Sequence, residues 1–174
     1  MNRSVVMLLA AALAGGCALQ AQTANPLIAE SRRAYTAINT NLTKAADKMS
    51  DENYNFKASP DVRTFGALIG HIADSQLRTC AAVKGEQKEA TAASKTAKAD
   101  LVAALKASFD ECDAAWDSIT DANAAEMLAG RGQRSKLGAL IGNTTHSNEE
   151  YGYLAVYMRL KGVVPPSSEP RPPM

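Results

Sequence analysis

The sequence predicts an all-α protein that folds as a four-helix bundle. No segment shows sustained alternation of apolar and polar residues, which is the pattern of a half-buried strand. Four segments instead repeat their apolar residues every three or four positions, as amphipathic helices do. A length of 174 residues allows one domain with a full core, and four amphipathic helices pack by default as a bundle.

The first two predicted helices each begin at a capping residue followed by proline. Asn25 with Pro26, and Ser59 with Pro60, place a side-chain cap before a proline in the first helical turn. Gly85 ends the second helix. The apolar stripe consists of Ile28, Tyr35, Ile38, Leu42, Ala45 and Met49 in the first helix, and of Val62, Phe65, Ile69, Ile72, Gln76, Cys80 and Val83 in the second.

The third predicted helix has the most regular apolar series in the chain. Residues 86–97 before it lack an apolar stripe and are predicted to be a connection, as are the mixed residues 120–135 after it. The series consists of Leu101, Leu105, Phe109, Cys112, Trp116 and Ile119.

The fourth predicted helix runs from about Ser135 to Lys161, where Gly162 stops it. The tail at 164–174 is rich in proline and is predicted to lie extended over the surface rather than to form a helix. The apolar stripe of the fourth helix is predicted to be Leu137, Ile141, Thr144 and Asn148.

Residues 1–21 are predicted to be a secretory signal peptide, which leaves a bundle domain at 26–163. Arg3 precedes a short apolar stretch, and small residues lead to Ala21 at the expected cleavage point. The expected location is therefore the periplasm or the outside of the cell. An alternative stays open, because residues 13–17 (LAGGC) resemble a lipoprotein signal; the protein would then be attached to a membrane through a lipid on Cys17.

The charge of the chain argues against nucleic acid as a partner. The chain has 19 basic and 18 acidic residues, and the predicted leader contains one base and no acid, so the mature protein is neutral. No basic stripe is interleaved with aromatic residues. We therefore expect neither nucleic-acid binding nor an electrostatic hold on a membrane.

Export leaves Cys80 and Cys112 as a pair in an oxidising compartment, for which a disulfide is predicted. Two buried free thiols are the alternative. Cys80 lies near the end of the second helix and Cys112 past the middle of the third. In antiparallel helices the two sulfurs would differ in height by roughly 10–15 Å, so a disulfide favours a parallel pair.

The candidate site is a metal centre formed by the two histidines of the chain. His146 and Glu150 are four residues apart on the fourth helix, so they project from one face a turn apart. With His71 from the second helix they would offer two imidazoles and one carboxylate to a divalent ion such as Zn, Ni, Mn or Fe. The same facts also suit a surface His146 and a core His71.

Four neighbours of the candidate ligands carry further expectations. Tyr153 and Tyr157 lie on the same helix face as His146 and could close the rim of the site. Asp74 is either a partner that fixes the tautomer of His71 or a solvated acid. Glu149 is the nearest spare carboxylate, but it faces about 100° away from Glu150.

Two segments resemble the DinB-like family of four-helix-bundle proteins. They are residues 64–74 (TFGALIGHIAD) and residues 146–168, beginning HSNEEYG. The resemblance is strongest for an exported branch of the family and covers about residues 26 to 168. It implies an up-down-down-up bundle with helices two and three parallel, and three histidines on a divalent metal. His71 and His146 match two of these, whereas Glu150 stands in place of the third.

The function that the resemblance implies is metal-dependent chemistry on an unknown small molecule. Some relatives are thiol-dependent transferases or isomerases; a metal-bound water used in hydrolysis is the other chemistry that such a site permits. A homodimer is also implied. The alternative is a non-catalytic bundle that binds a ligand or a second copy and has a degenerate metal site.

Overall fold

The computed structural model describes residues 25–130 and 132–170. They form four α-helices: α1 (Pro26–Lys48), α2 (Phe65–Val83), α3 (Lys98–Asp117) and α4 (Lys136–Leu160). Short 3-10 helices occur at Asp51–Asn55, Ala92–Ser94 and Pro166–Ser168. The described ranges contain one isolated bridge, between Met127 and Ser135, and no strand. The all-α, four-helix prediction is confirmed, while the predicted leader lies outside the described residues.

Contacts near their ends show that α2 and α3 are parallel. Leu101, near the start of α3, lies 3.1 Å from the position of a Cβ atom on Gly66, near the start of α2. Toward the other ends, Cys80 and Cys112 are joined by a disulfide, with their Cα atoms 4.9 Å apart. Both contacts place equivalent ends of the two helices side by side.

The outer helices run opposite to this pair. Lys98 at the start of α3 donates a 2.8 Å hydrogen bond to the carbonyl of Met49, which follows the end of α1. Tyr157, near the end of α4, donates a 2.7 Å hydrogen bond to the carbonyl of Arg63, just before α2. The helices therefore run up, down, down and up.

The start of α2 differs from its prediction. Thr64, not Ser59, is the N-cap, and its hydroxyl accepts a 3.0 Å hydrogen bond from the amide of Ala67. Tyr54 of the preceding 3-10 turn is buried, and its hydroxyl donates to the carbonyl of Ala46. Because that turn docks on the end of α1, the chain reaches the α2 position only after Ser59, and Val62 remains 40% exposed.

The buried face of α4 also differs from its prediction. Ile141, predicted to be apolar core, is 42% exposed. The residues that α4 buries are mixed in polarity: Ala139, Leu140, Asn143, Thr144, Ser147, Glu150, Tyr151, Leu154, Ala155, Tyr157 and Met158. The helix thus turns the candidate ligand Glu150 toward the bundle instead of toward solvent.

The tail packs more closely than an extended strap. Pro166–Ser168 forms a 3-10 turn in which Pro166 is buried, so the expectation of a wholly non-helical tail was wrong. Proline suits the first position of such a turn, because a backbone N–H at that position would make no hydrogen bond within the turn and its absence costs nothing. The hydroxyl of Tyr151 accepts from the amide of Ser167 at 2.9 Å and holds the tail against α4.

The connection between α2 and α3 packs directly on α2. The carboxylate of Asp74 accepts hydrogen bonds from the amides of Ala92 and Ala93 at 2.8 and 3.0 Å. The sequence analysis expected Asp74 either to orient the imidazole of His71 or to face solvent, and both expectations were wrong. Gly70 allows the approach, because a Cβ there would lie 2.8 Å from the carbonyl oxygen of Ala92.

No helix within the described ranges has the length and apolar character needed to cross a membrane.

We expect Gly70→Ala to lower the free energy of unfolding by about 1–3 kcal/mol, because the new methyl group must displace backbone at Ala92. Gly152→Ala is the matched control: it is also helical, its Cβ would meet nothing within 4 Å, and it should be neutral or stabilising by up to about 1 kcal/mol. Urea unfolding of both variants measures the difference, and equal stabilities would contradict the packing argument.

Iodoacetamide should label neither Cys80 nor Cys112 in urea-unfolded protein unless a reductant is added first, because the two sulfurs are bonded to each other. Peptide mass spectrometry with and without reductant makes the measurement. Labelling of both residues without reductant would instead indicate two free thiols.

Candidate metal centre

Three potential ligand atoms converge between α2 and α4. The Nε2 atoms of His71 and His146 lie 3.1 Å apart. The Oε1 atom of Glu150 lies 3.4 Å from Nε2 of His71 and 3.5 Å from Nε2 of His146. The structure therefore brings the three residues of the predicted site together.

The size of this triangle suits a single divalent ion. Bonds of about 2.0–2.1 Å in tetrahedral geometry separate neighbouring ligand atoms by roughly 3.3 Å. The three observed separations, from 3.1 to 3.5 Å, bracket that value. Two imidazoles and one carboxylate also form a ligand set of catalytic zinc and of non-haem iron, and they leave coordination positions for water or substrate.

The burial of the ligands differs across the site. The carboxylate of Glu150 is 8% exposed, whereas the side chains of His71 and His146 are 30% and 29% exposed. The carboxylate thus forms the floor of the site and the imidazoles form its open side.

Buried polar side-chain atoms without a protein hydrogen-bond partner occur on α2 and α4. Among the described residues they belong to five side chains, namely Gln76, Asn143, His146, Ser147 and Glu150. Such atoms are normally satisfied by water, an ion or a ligand. The unpaired Oε2 of Glu150 and Nδ1 of His146 belong to two of the three candidate ligands, so this region is suited to bind water, an ion or a ligand.

The electrostatic surroundings keep His71 in the neutral form that binds metals. Burial lowers the pKa of His71 below its ordinary value of 6.5, and the charges of Arg63, His146 and Arg78 act in the same direction. The carboxylate of Glu150 opposes them but does not prevail. A neutral imidazole has a free lone pair for a cation.

A cleft of about 510 Å³ lies beside the triad. Glu150 forms part of its wall, together with Tyr153 and Tyr157. Both tyrosines therefore lie at the rim of the candidate site, as their spacing along α4 predicted. Glu149 hydrogen-bonds the hydroxyl of Tyr153 at 3.2 Å, which ties this carboxylate to the outer surface.

Sequence reasoning missed three buried polar residues and one cation of the site. Gln76 was read as part of an apolar stripe, whereas its side-chain amide is fully buried and has no hydrogen-bond partner. Asn143 and Ser147 flank His146 by one turn or less and are also buried. The position of Gln76 inside an apolar stripe was a signal in the sequence that it would be a buried polar residue. No sequence signal indicated that Arg63, in the loop before α2, would lie at the site.

Comparison with known families identifies the fold and its relatives. A family model described as the DinB superfamily matches residues 34–154, which confirms the resemblance drawn from the sequence. Membership in an exported branch stays a prediction. Among proteins with curated descriptions, none matches this sequence.

Solved structures share the fold at low sequence identity. A DinB-like protein from Bacillus cereus is 19% identical, with a TM-score of 0.69 over 80% of this chain and 95% of that one. A DinB-like protein from Bacillus subtilis is 18% identical, with a TM-score of 0.62 over 86% and 96%. A conserved protein from Enterococcus faecalis is 13% identical, with a TM-score of 0.62 over 76% and 95%.

We expect the metal-free protein to lose stability as the pH falls from about 7.5 to about 5.5, because the unfolded chain protonates His71 more readily than the folded one. His71→Asn should reduce this slope. Urea unfolding in the presence of a chelator at both pH values makes the comparison. An unchanged slope in the variant would show that His71 is not held neutral by the fold.

Proposed function

The chain belongs to the DinB superfamily, and from that premise we propose that it is an exported protein that binds a divalent metal through His71, His146 and Glu150. We propose further that it acts as a metal-dependent hydrolase or transferase on a small molecule. The observation that supports the metal is the triangle of ligand atoms, closed by a buried carboxylate whose second oxygen has no protein partner.

The replacement of a third histidine by Glu150 changes the charge of the ligand set but not its capacity to bind. A carboxylate is a common third ligand beside two imidazoles. Its negative charge would partly neutralise a divalent cation, and burial of the carboxylate strengthens that attraction. An unpartnered buried charge is costly, so the same burial favours a cation beside Glu150.

A bound divalent metal would supply a polarised water or an anchored substrate atom at the open side of the site. The chain's own contribution is to hold its ligands and shape that side. His71 stays neutral because of its burial and nearby arginines. Tyr157 is fixed by its hydrogen bond to the carbonyl of Arg63, so its ring forms a rigid wall of the cleft.

Both histidines serve as ligands in this arrangement, so neither is free as a general base. Glu149 is occupied by Tyr153 on the outer surface. Asp61 also lines the cleft, but the carboxylate oxygen at the triad itself that has no protein partner is Oε2 of Glu150, and proton transfer would therefore fall to it. This assignment distinguishes the proposed chemistry from that of a three-histidine site, which has no such oxygen.

We expect the purified protein to carry one divalent ion per chain, and His71→Ala and His146→Ala each to weaken its binding at least about 100-fold, since a direct ligand is removed. Elemental analysis identifies the ion, and titration calorimetry measures its affinity. No affinity tag containing histidine is used.

Glu150→Gln and Glu149→Gln form a matched pair of adjacent substitutions. The first should weaken metal binding because it removes the buried charge, while the second should leave binding unchanged because Glu149 lies on the outer surface. Equal behaviour of the two variants, or full metal content in both histidine variants, would contradict the proposed site.

A further inference from the structure

The cleft beside the triad combines a cation with apolar walls. Arg63 lines it together with Tyr153 and Tyr157, and Val62 and Leu68 provide aliphatic surface. The cleft also reaches Glu150, so a molecule inside it would lie against one of the three candidate metal ligands. Its volume of about 510 Å³ matches a small organic molecule.

Arg63 is not paired with an acid. Within residues 25–130 and 132–170, the arginines that form ion pairs are Arg32 and Arg33, both on α1. Asp61 lines the same cleft as Arg63 but is not within ion-pair distance of it. The guanidinium of Arg63 is therefore free to receive an anion from the cleft.

Two further arginines add positive charge near the triad. Arg78 on α2 is close enough to His71 to act on it electrostatically, as Arg63 does. Arg134 lies over α4, with Nη1 3.0 Å from the position of a Cβ on Gly142, one turn before His146. Neither forms an ion pair with an acid in the described part of the chain, so three separate segments present unpaired guanidinium groups around the site.

We infer that the cleft binds a small organic acid, with its carboxylate or phosphate on Arg63 and its apolar or aromatic body between Leu68 and the tyrosine rings. This inference rests on the proposed function for the role of the metal, but not for the binding of the acid. Arginine suits the task because its planar donors match both anions. Glu150 and Asp61 disfavour a second negative charge deeper in the cleft.

The test compares three probes that share one aromatic ring: benzoate, phenyl phosphate and the neutral benzyl alcohol. Titration calorimetry measures their affinities for the full mature chain and for Arg63→Gln. Arg33→Gln is the matched control, because it removes an exposed arginine of α1 that does not line the cleft. The metal content of every sample is measured alongside.

We expect at least one of the two anions to bind about 10- to 100-fold more tightly than benzyl alcohol, as a charge-assisted hydrogen bond provides. Arg63→Gln should remove most of that preference, and Arg33→Gln should leave it intact. Whichever anion binds more tightly identifies the acid as a carboxylate or a phosphate.

Three results would overturn the inference: equal affinity for the anions and the alcohol, equal losses in the two arginine variants, or no binding of either anion at about 10 mM. The outcome is separate from that of the proposed function. If the protein holds no metal but the anion preference depends on Arg63, the metal proposal fails and the acid-binding cleft stands.

Discussion

The convergence of two imidazole nitrogens and one carboxylate oxygen, all within 3.5 Å of one another, is the constraint to which the rest of the bundle is fitted. It requires α2 and α4 to be neighbours, and the two helices also bury polar residues on faces that would otherwise be apolar. Gln76, Asn143 and Ser147 are three of them: buried polar side chains that add nothing to hydrophobic stability. The buried apolar residues of α1 and α3, including Tyr35 and Trp116 with ring centroids 5.7 Å apart, provide the hydrophobic core of the bundle.

The sequence predicted the four helices correctly, but it did not predict where α2 starts or which face of α4 is buried. Asn25 and Pro26 begin α1 as predicted, because the cap acts locally through a hydrogen bond to the amide of Leu27. Ser59 and Pro60 have the same local character, but a tertiary contact overrides them, since Tyr54 docks on α1 and delays α2 to Thr64. Local signals predicted the elements, and long-range packing set where one of them starts.

The same distinction explains what could be predicted of the site. The spacing of His146 and Glu150 is a local property and was visible in the sequence, whereas the partnership with His71 depends on helix directions. The buried face of α4 was assigned wrongly because its polar members, among them Ser147 and Glu150, hide the apolar period. Arg63 lies in the loop before α2, so only the folded chain brings it to the cleft beside Glu150.

The disulfide between Cys80 and Cys112 joins α2 to α3, so it ties His71 covalently to one half of the bundle only. His146 and Glu150 belong to α4, which is attached to that half by side-chain contacts and hydrogen bonds such as that of Tyr157. An ion shared by the three ligands would link α2 to α4, which the disulfide does not do, and this link could be removed with a chelator. The free energy of unfolding would then increase with the ion concentration, by about 2.7 kcal/mol when the free ion is at a hundredfold excess over its dissociation constant.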